Sequence, residues 1–155
     1  MSASELRIER VEAPVLYELR LRVLRGNDPT KSAADARDDE ATSLHFAGFV
    51  DDRLVVSASF YRTSAPVHEE LVSYQLRFMA TDFDVQGRGY GARVLEFALE
   101  ALRAEGAQQV WAYARDTALG FYVATGWRVV AGSEHLSAET RLPHTTIVKS
   151  LREGS

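Results

Sequence analysis

Gln86-Gly87-Arg88-Gly89-Tyr90-Gly91 places three glycines within five residues, directly after a strand-like run and directly before a helical one. Glycine loses more backbone freedom on ordering than any other residue, so such a run needs a physical reason. The reason is a bend that calls for positive φ or for close approach of the backbone. A strand that ends here and a helix that begins here leave several backbone N–H groups without intrahelical partners. With the helix dipole, those groups suit a phosphate or pyrophosphate, and Arg88 adds charge at the rim. A tight structural turn is the competing reading of the six residues taken alone. No Gly-Lys-Ser/Thr pair follows, so a nucleoside triphosphate loop is unsupported.

Upstream, residues 70–81 make a long strand-like run whose alternation is imperfect, as expected for a central strand covered on both faces. Downstream, residues 93–105 carry Val94, Leu95, Ala98, Leu99 and Leu102 on one helical face and Arg93, Glu96, Glu100 and Arg103 on the other, with Gly106 as C-cap. Further out, residues 5–11 read as a first strand. A helix begins near Pro14, with Leu16, Leu19, Val23 and Leu24 at helical spacing, and stops at Gly26-Asn27-Asp28-Pro29. Residues 44–50 and 54–61 form a hairpin around Asp51-Asp52. A strand over 109–112, a short helix over 117–124 and strands over 127–130 and 145–151 complete the order. This predicts an α/β chain with a mixed sheet and helices on its faces. A doubly wound dinucleotide domain would place its glycine loop near the first strand, which argues against a nicotinamide cofactor.

The 155 residues suit one domain, 1–155. The absence of cysteine removes disulfides, thiolate catalysis and sulfur-ligated metals. No apolar stretch approaches the ~20 residues of a bilayer span and no signal-peptide pattern opens the chain, so a soluble cytoplasmic protein is expected. The formal net charge of -4 does not favour nucleic acid and weakly favours cationic partners. Between residues 28 and 43, Asp28, Asp35, Asp38, Asp39 and Glu40 stand against Lys31 and Arg37. The stretch reads as a mobile, solvated loop or as an acidic rim at a substrate entrance. The four histidines show no metal-ligand spacing, so no metal is expected.

The glycine turn matches the Gln/Arg-x-x-Gly-x-Gly/Ala signature of the Gcn5-related N-acetyltransferase (GNAT) superfamily. The preceding Gln75-Leu76-Arg77-Phe78-Met79-Ala80-Thr81 resembles the strand before that signature. Residues 114–127, containing Ala118, Phe121-Tyr122 and Gly126-Trp127, resemble a second family segment, with Arg115 where Asn is usual and Trp127 where Phe is usual. Leu142-Pro143-His144-Thr145 is similar to a strand entry in a subset of the family. The resemblance implies a mixed, mostly antiparallel central sheet flanked by helices, with a splayed parallel strand pair. It implies acetyl-CoA (coenzyme A) as cofactor. Backbone groups of Phe78, Met79 and Ala80 would meet the pantetheine arm. The N–H groups of Gln86, Gly87, Arg88, Gly89, Tyr90, Gly91 and Ala92 would hold the pyrophosphate. Arg115, Ala118 and Phe121 would lie along the coenzyme. The acceptor would be a primary amine of a small molecule or peptide, and a homodimer would not be unusual.

The chemistry follows from the reaction. An amine attacks a thioester only when neutral, so a base must take its proton. The oxyanion needs an aligned donor, for which a backbone N–H near Met79 is a candidate. The departing thiolate needs a proton, and Tyr122 matches the tyrosine that supplies it in relatives. Candidates for the base are His144, His135, Glu134, Glu69 and Glu70. Arg77, if buried, needs an acidic partner. A coenzyme-binding sensor without turnover and a phosphate-binding α/β protein unrelated to coenzyme A are the competing readings.

Overall fold

The computed structural model describes residues 5–138 and 140–152. The chain forms two compact units, Met1–Arg62 with Leu76–Leu102, and Thr63–Gln75 with Arg103–Ser155.

In the first unit, strand β1 (Arg7–Val11) pairs antiparallel with β2 (Leu44–Val50), and β2 pairs antiparallel with β3 (Arg53–Arg62). The β2–β3 turn puts Asp51 and Asp52 at φ 50° and 64°. These left-handed values match the twist of a hairpin, and aspartate tolerates them better than most residues. The expected helix between β1 and β2 is present, but it changes geometry along its length. A 3₁₀ turn at Ala13–Leu16 gives way to one α-turn, α1 (Tyr17–Leu19), and then to a π-helical stretch at Arg20–Leu24.

Strand β4 (Ser73–Thr81) leads through a 3₁₀ turn at Phe83–Val85 to helix α2 (Tyr90–Ala104). The helix starts earlier than residue 93, because the Gly89 carbonyl already accepts the Arg93 N–H at 3.1 Å. Its apolar face buries Val94, Leu95, Ala98, Leu99 and Leu102. A Cβ at Gly48 would stand 2.9 Å from Val94 Cγ2, so the absence of a side chain lets α2 close on β2.

In the second unit, the start of β4 runs parallel to β5 (Gln109–Arg115), with Ser73 opposite Gln109, Tyr74 opposite Val110 and Gln75 opposite Trp111. After a 3₁₀ turn at Asp116–Ala118 comes α3 (Leu119–Ala124). Strands β6 (Arg128–Val129) and β7 (His135–Leu136) both pair antiparallel with β8 (Pro143–Ser150), which pairs antiparallel with β5 along its whole length. Ala65, Trp111 and Val148 form its apolar centre, and Trp111 Nε1 donates to the Thr63 carbonyl at 2.9 Å. Strand β7 has no counterpart in the sequence reading. Its two residues follow Gly132-Ser133-Glu134 and are too few to show alternation.

The hydrogen-bonded order of strands is β1-β2-β3-β4-β5-β8-β6, with β7 on β8, and β4 contributes to both units. The result is the expected mixed sheet with one parallel pair. Among the described residues, no helix is long and apolar enough to cross a membrane.

Candidate active site

The glycine turn behaves as its composition predicts. Gly87 and Gly89 adopt φ of 83° and 80°, and a Cβ added at either would meet no atom within 4 Å. Conformation, not lack of space, therefore demands glycine there. Gln86 folds its side chain back, Nε2 donating to the Thr81 carbonyl at 3.1 Å, which ties the turn to the end of β4. Among the described residues, the backbone N–H groups of Gly87, Arg88, Gly89, Tyr90, Gly91 and Ala92 donate to no backbone carbonyl. This array of unsatisfied donors at the N-terminus of a fifteen-residue helix suits a phosphate group.

Strand β4 is the last strand of the first unit's order, so no strand of that unit covers its outer edge from Leu76 to Thr81. Within that stretch Phe78 takes φ 56°, a left-handed value in the middle of a strand. Such a value is unusual for a bulky side chain and bends the strand locally. Ser57 Oγ donates to the Phe78 carbonyl at 2.9 Å, and the Phe78 ring lies under Arg20 Cζ at 4.0 Å and Arg77 Cζ at 4.5 Å. The bend is thus held from both the main-chain and the side-chain side. Met79 and Ala80 follow it directly.

Arg20 is fully buried and lies at the centre of a polar network in the first unit. Its Nη1 donates to Asp38 Oδ2 and to the Ala33 carbonyl, both at 2.9 Å, and its Nη2 to Ser59 Oγ at 2.7 Å. Burial alone would push the Asp38 carboxyl up. Hydrogen bonds from Arg20 and the Tyr61 hydroxyl outweigh it and hold the carboxyl at about 2. His45 Nε2 lies 3.0 Å from the Asp38 carbonyl, which can only accept, so Nε2 carries hydrogen. Nδ1 then accepts from Ser59, 2.8 Å away, whose oxygen is receiving from Arg20. That arrangement needs a neutral imidazole, and burial lowers the His45 pKa in the same direction.

The acidic segment is therefore not a uniformly solvated loop. Asp35 bonds Arg37 and, at 2.7 Å, Arg77, which supplies the partner expected for Arg77. The bonds from Arg37, and behind them Arg77, hold Asp35 well below the usual carboxylate range. Asp39 and Glu40 remain outward. With Glu12, Arg10 and His45 they line a concavity of about 230 Å³.

The second unit carries the other candidates. Tyr122, on α3, is 7% exposed, packed edge-on to Phe121 and Trp127 with ring centroids 5.1 and 5.2 Å away. Its hydroxyl has no hydrogen-bond partner among the described residues, and burial pushes its pKa up. The hydroxyl is thus not tied to the backbone of the described residues. Phe121 is partly exposed beside it, and Ala118 and Arg115 flank the turn that opens α3.

His144 sits opposite Arg115 across β5–β8 and opposite His135 across β7–β8. Its Nδ1 is 2.9 Å from the Leu142 carbonyl, so Nδ1 carries the hydrogen and Nε2 keeps the lone pair in the neutral ring. His135 repeats the arrangement, with Nδ1 2.9 Å from the Ser133 carbonyl. The two imidazoles stand 6.1 Å apart, and Tyr113 packs edge-on to His135 at 5.1 Å. Among the described residues, no group of three or more histidine, aspartate or glutamate side chains is placed to hold a metal ion.

Sequence reasoning missed Ser57 and Arg20. Ser57 left no signal, being one small polar residue in a strand. Arg20 left one, since it falls four residues after Leu16 on the stripe that the helix buries, where a cation demands a partner.

The acetyltransferase (GNAT) family profile matches residues 13–127. The uncharacterized N-acetyltransferase YitI of Bacillus subtilis (strain 168) is 31% identical over 123 residues, which cover 79% of this chain and 83% of that protein. This chain therefore belongs to the acetyltransferase (GNAT) family. The fold agrees. An acyl-CoA N-acyltransferase from Pseudomonas aeruginosa superposes with a TM-score of 0.74 at 19% identity, covering 94% of this chain and 99% of that one. An aminoglycoside 6'-N-acetyltransferase complexed with coenzyme A superposes with a TM-score of 0.72 at 13% identity, covering 96% and 99%.

Proposed function

We propose that this protein is an N-acetyltransferase that moves an acetyl group from acetyl-CoA to a primary amine of a small molecule or peptide, by direct attack in a ternary complex. The observation that carries the reading is the row of unsatisfied N–H groups from Gly87 to Ala92 at the start of α2, next to the bent outer stretch of β4. The first would take the pyrophosphate. The backbone of Phe78, Met79 and Ala80 would take the pantetheine amides, and the Met79 N–H would face the thioester oxygen. The coenzyme supplies the activated acyl carbon, and the remaining work is proton movement by the chain's own groups.

His144 Nε2 accepts the proton that the amine loses, through its lone pair or a water. Tyr122 gives a proton to the departing sulfur. A buried phenol with a raised pKa is fully protonated at neutral pH, which an acid requires. As the proton leaves Tyr122 the charge on its oxygen is poorly solvated, so the phenol must regain a proton before the next turnover. The concavity lined by Glu12, Asp39 and Glu40 supports a cationic amine as acceptor.

The test is release of free coenzyme A from acetyl-CoA across polyamines, aminoglycosides, amino acids and peptide N-termini. Tyr122→Phe is expected to keep coenzyme affinity and to lower kcat roughly 10²-fold or more. His144→Gln is expected to lower kcat while leaving coenzyme affinity as in the parent. Coenzyme binding without turnover of any amine would support a sensor instead, and undiminished turnover by Tyr122→Phe would remove that residue from the mechanism.

A further inference from the structure

The arginines of the first unit are largely held by carboxylates: Arg7, Arg20, Arg22, Arg37, Arg53 and Arg77 all make ion pairs. The second unit departs from this. His68, Arg128, Lys149 and Arg152 line one concavity of about 420 Å³, together with Gln109 and Gly126, and among the described residues no carboxylate lines it. The chain as a whole has 22 acidic against 18 basic residues, so a basic hollow is not a consequence of composition.

The hollow has a fixed wall. Lys149 Nζ donates to the Thr125 carbonyl at 2.6 Å, at the C-terminal end of α3, where a cation is favourably placed. Gly126, at φ 95°, leaves room for that ammonium, since a Cβ there would approach Nζ to 3.1 Å. One carbonyl uses one of the three ammonium hydrogens, and two remain for a ligand. His68, Arg128 and Arg152 are exposed and make no ion pair among the described residues. The like charges of Arg128, Lys149 and Arg152, with no carboxylate among the described lining residues, repel one another, and an anion that bridges them removes the repulsion while matching the guanidinium forks.

The geometry points to a second ligand site in this hollow, for a small multivalent oxyanion bearing phosphate or carboxylate groups. A single phosphate would fill only part of the space, whereas a molecule carrying two or more anionic groups can reach cations on separate walls. None of the lining residues belongs to the glycine turn, to β4 beyond Gln75, or to the Tyr122 and His144 set. The inference does not depend on the coenzyme reading.

The test uses the full chain, titrated calorimetrically with pyrophosphate and separately with citrate, in the presence and absence of excess coenzyme A. The comparison is with Arg128→Gln/Arg152→Gln. The expected result is binding of at least one of the two anions that persists with coenzyme present and weakens about tenfold or more in the double variant. The variant should bind coenzyme A as the parent does, and binding should weaken as salt rises. Preference for pyrophosphate would mark a phosphorylated ligand, and preference for citrate a polycarboxylate. No binding of either anion, binding fully displaced by coenzyme A, or binding unchanged in the double variant would overturn the proposal.

Discussion

Asp38 and Arg20 show how much a pair of charges can organise when both leave water. Their side chains are 2% and 0% exposed, and they draw in Tyr61, Ser59 and His45 through direct bonds. The pair does not by itself argue for stability, because desolvation offsets most of the attraction. Removing one partner is different, since the other is left charged and buried. Asp38→Ala is therefore expected to destabilise the protein by about 3–5 kcal/mol, read as a shift in denaturant midpoint at constant slope. Truncation of the exposed Asp39 at the next position should change stability by less than about 0.5 kcal/mol. Equal effects at the two positions would show that the network contributes nothing. The same contrast explains why a segment with five acids looks solvated in the sequence: composition does not reveal which two of them meet arginines from a helix and a distant strand.

At the level of elements, two glycines illustrate two different needs. Gly89 is required by its φ, and the dense glycine spacing made that legible from sequence. Gly48 is required by space, because α2 presses Val94 against it and Leu6 and Val56 stand 3.1 Å from a Cβ placed there. A lone glycine in a strand carries no such message until the helix is docked. Gly48→Ala is expected to cost about 1–3 kcal/mol through overpacking, measured by urea unfolding, with the far-UV spectrum of the folded state unchanged. A variant as stable as the parent would mean that α2 does not rest on β2 as closely as the structure has it. More broadly, β2, β3, β8 and α2 were readable because each runs seven or more residues, the strands as continuous buried stretches and the helix with one buried face. Strand β7 and the change from 3₁₀ to π geometry at Ala13–Leu24 were not, since β7 is defined by its pairing to β8 and no local residue pattern marks where one helical geometry gives way to the next. The candidate site divides in the same way. The glycine turn and Tyr122 carry their chemistry in local sequence, whereas the lone pair on His144 depends on a carbonyl that only the fold brings to its other nitrogen.

For the whole molecule, acid should act unevenly. The first unit contains Asp35, Asp38 and Asp82, each held below the usual carboxylate range. For Asp82, burial would raise the pKa, but bonds from Arg22, the Asp84 N–H and Arg53 outweigh it and bring the carboxyl to about 2. A carboxylate whose folded pKa lies below its unfolded value of about 3.9 contributes stability that is fully present above that value. The contribution is lost as pH falls from about 4 towards about 2, because the unfolded state then takes up protons that the folded state resists. Protection of backbone amides against hydrogen exchange, corrected for the intrinsic pH dependence, should therefore fall in β1, β2, β3 and α2 over that window. If unfolding is fully cooperative, β5 and β8 should lose protection at the same pH, and otherwise they should lose it later. Loss in β5 and β8 while β1, β2 and β3 remain protected would show that the arginine-bound carboxylates do not govern the acid limit. Asp38→Asn, which has no proton to gain, should be less stable at neutral pH and show a shallower acid transition than the parent, separating the titration of that carboxyl from the packing around it.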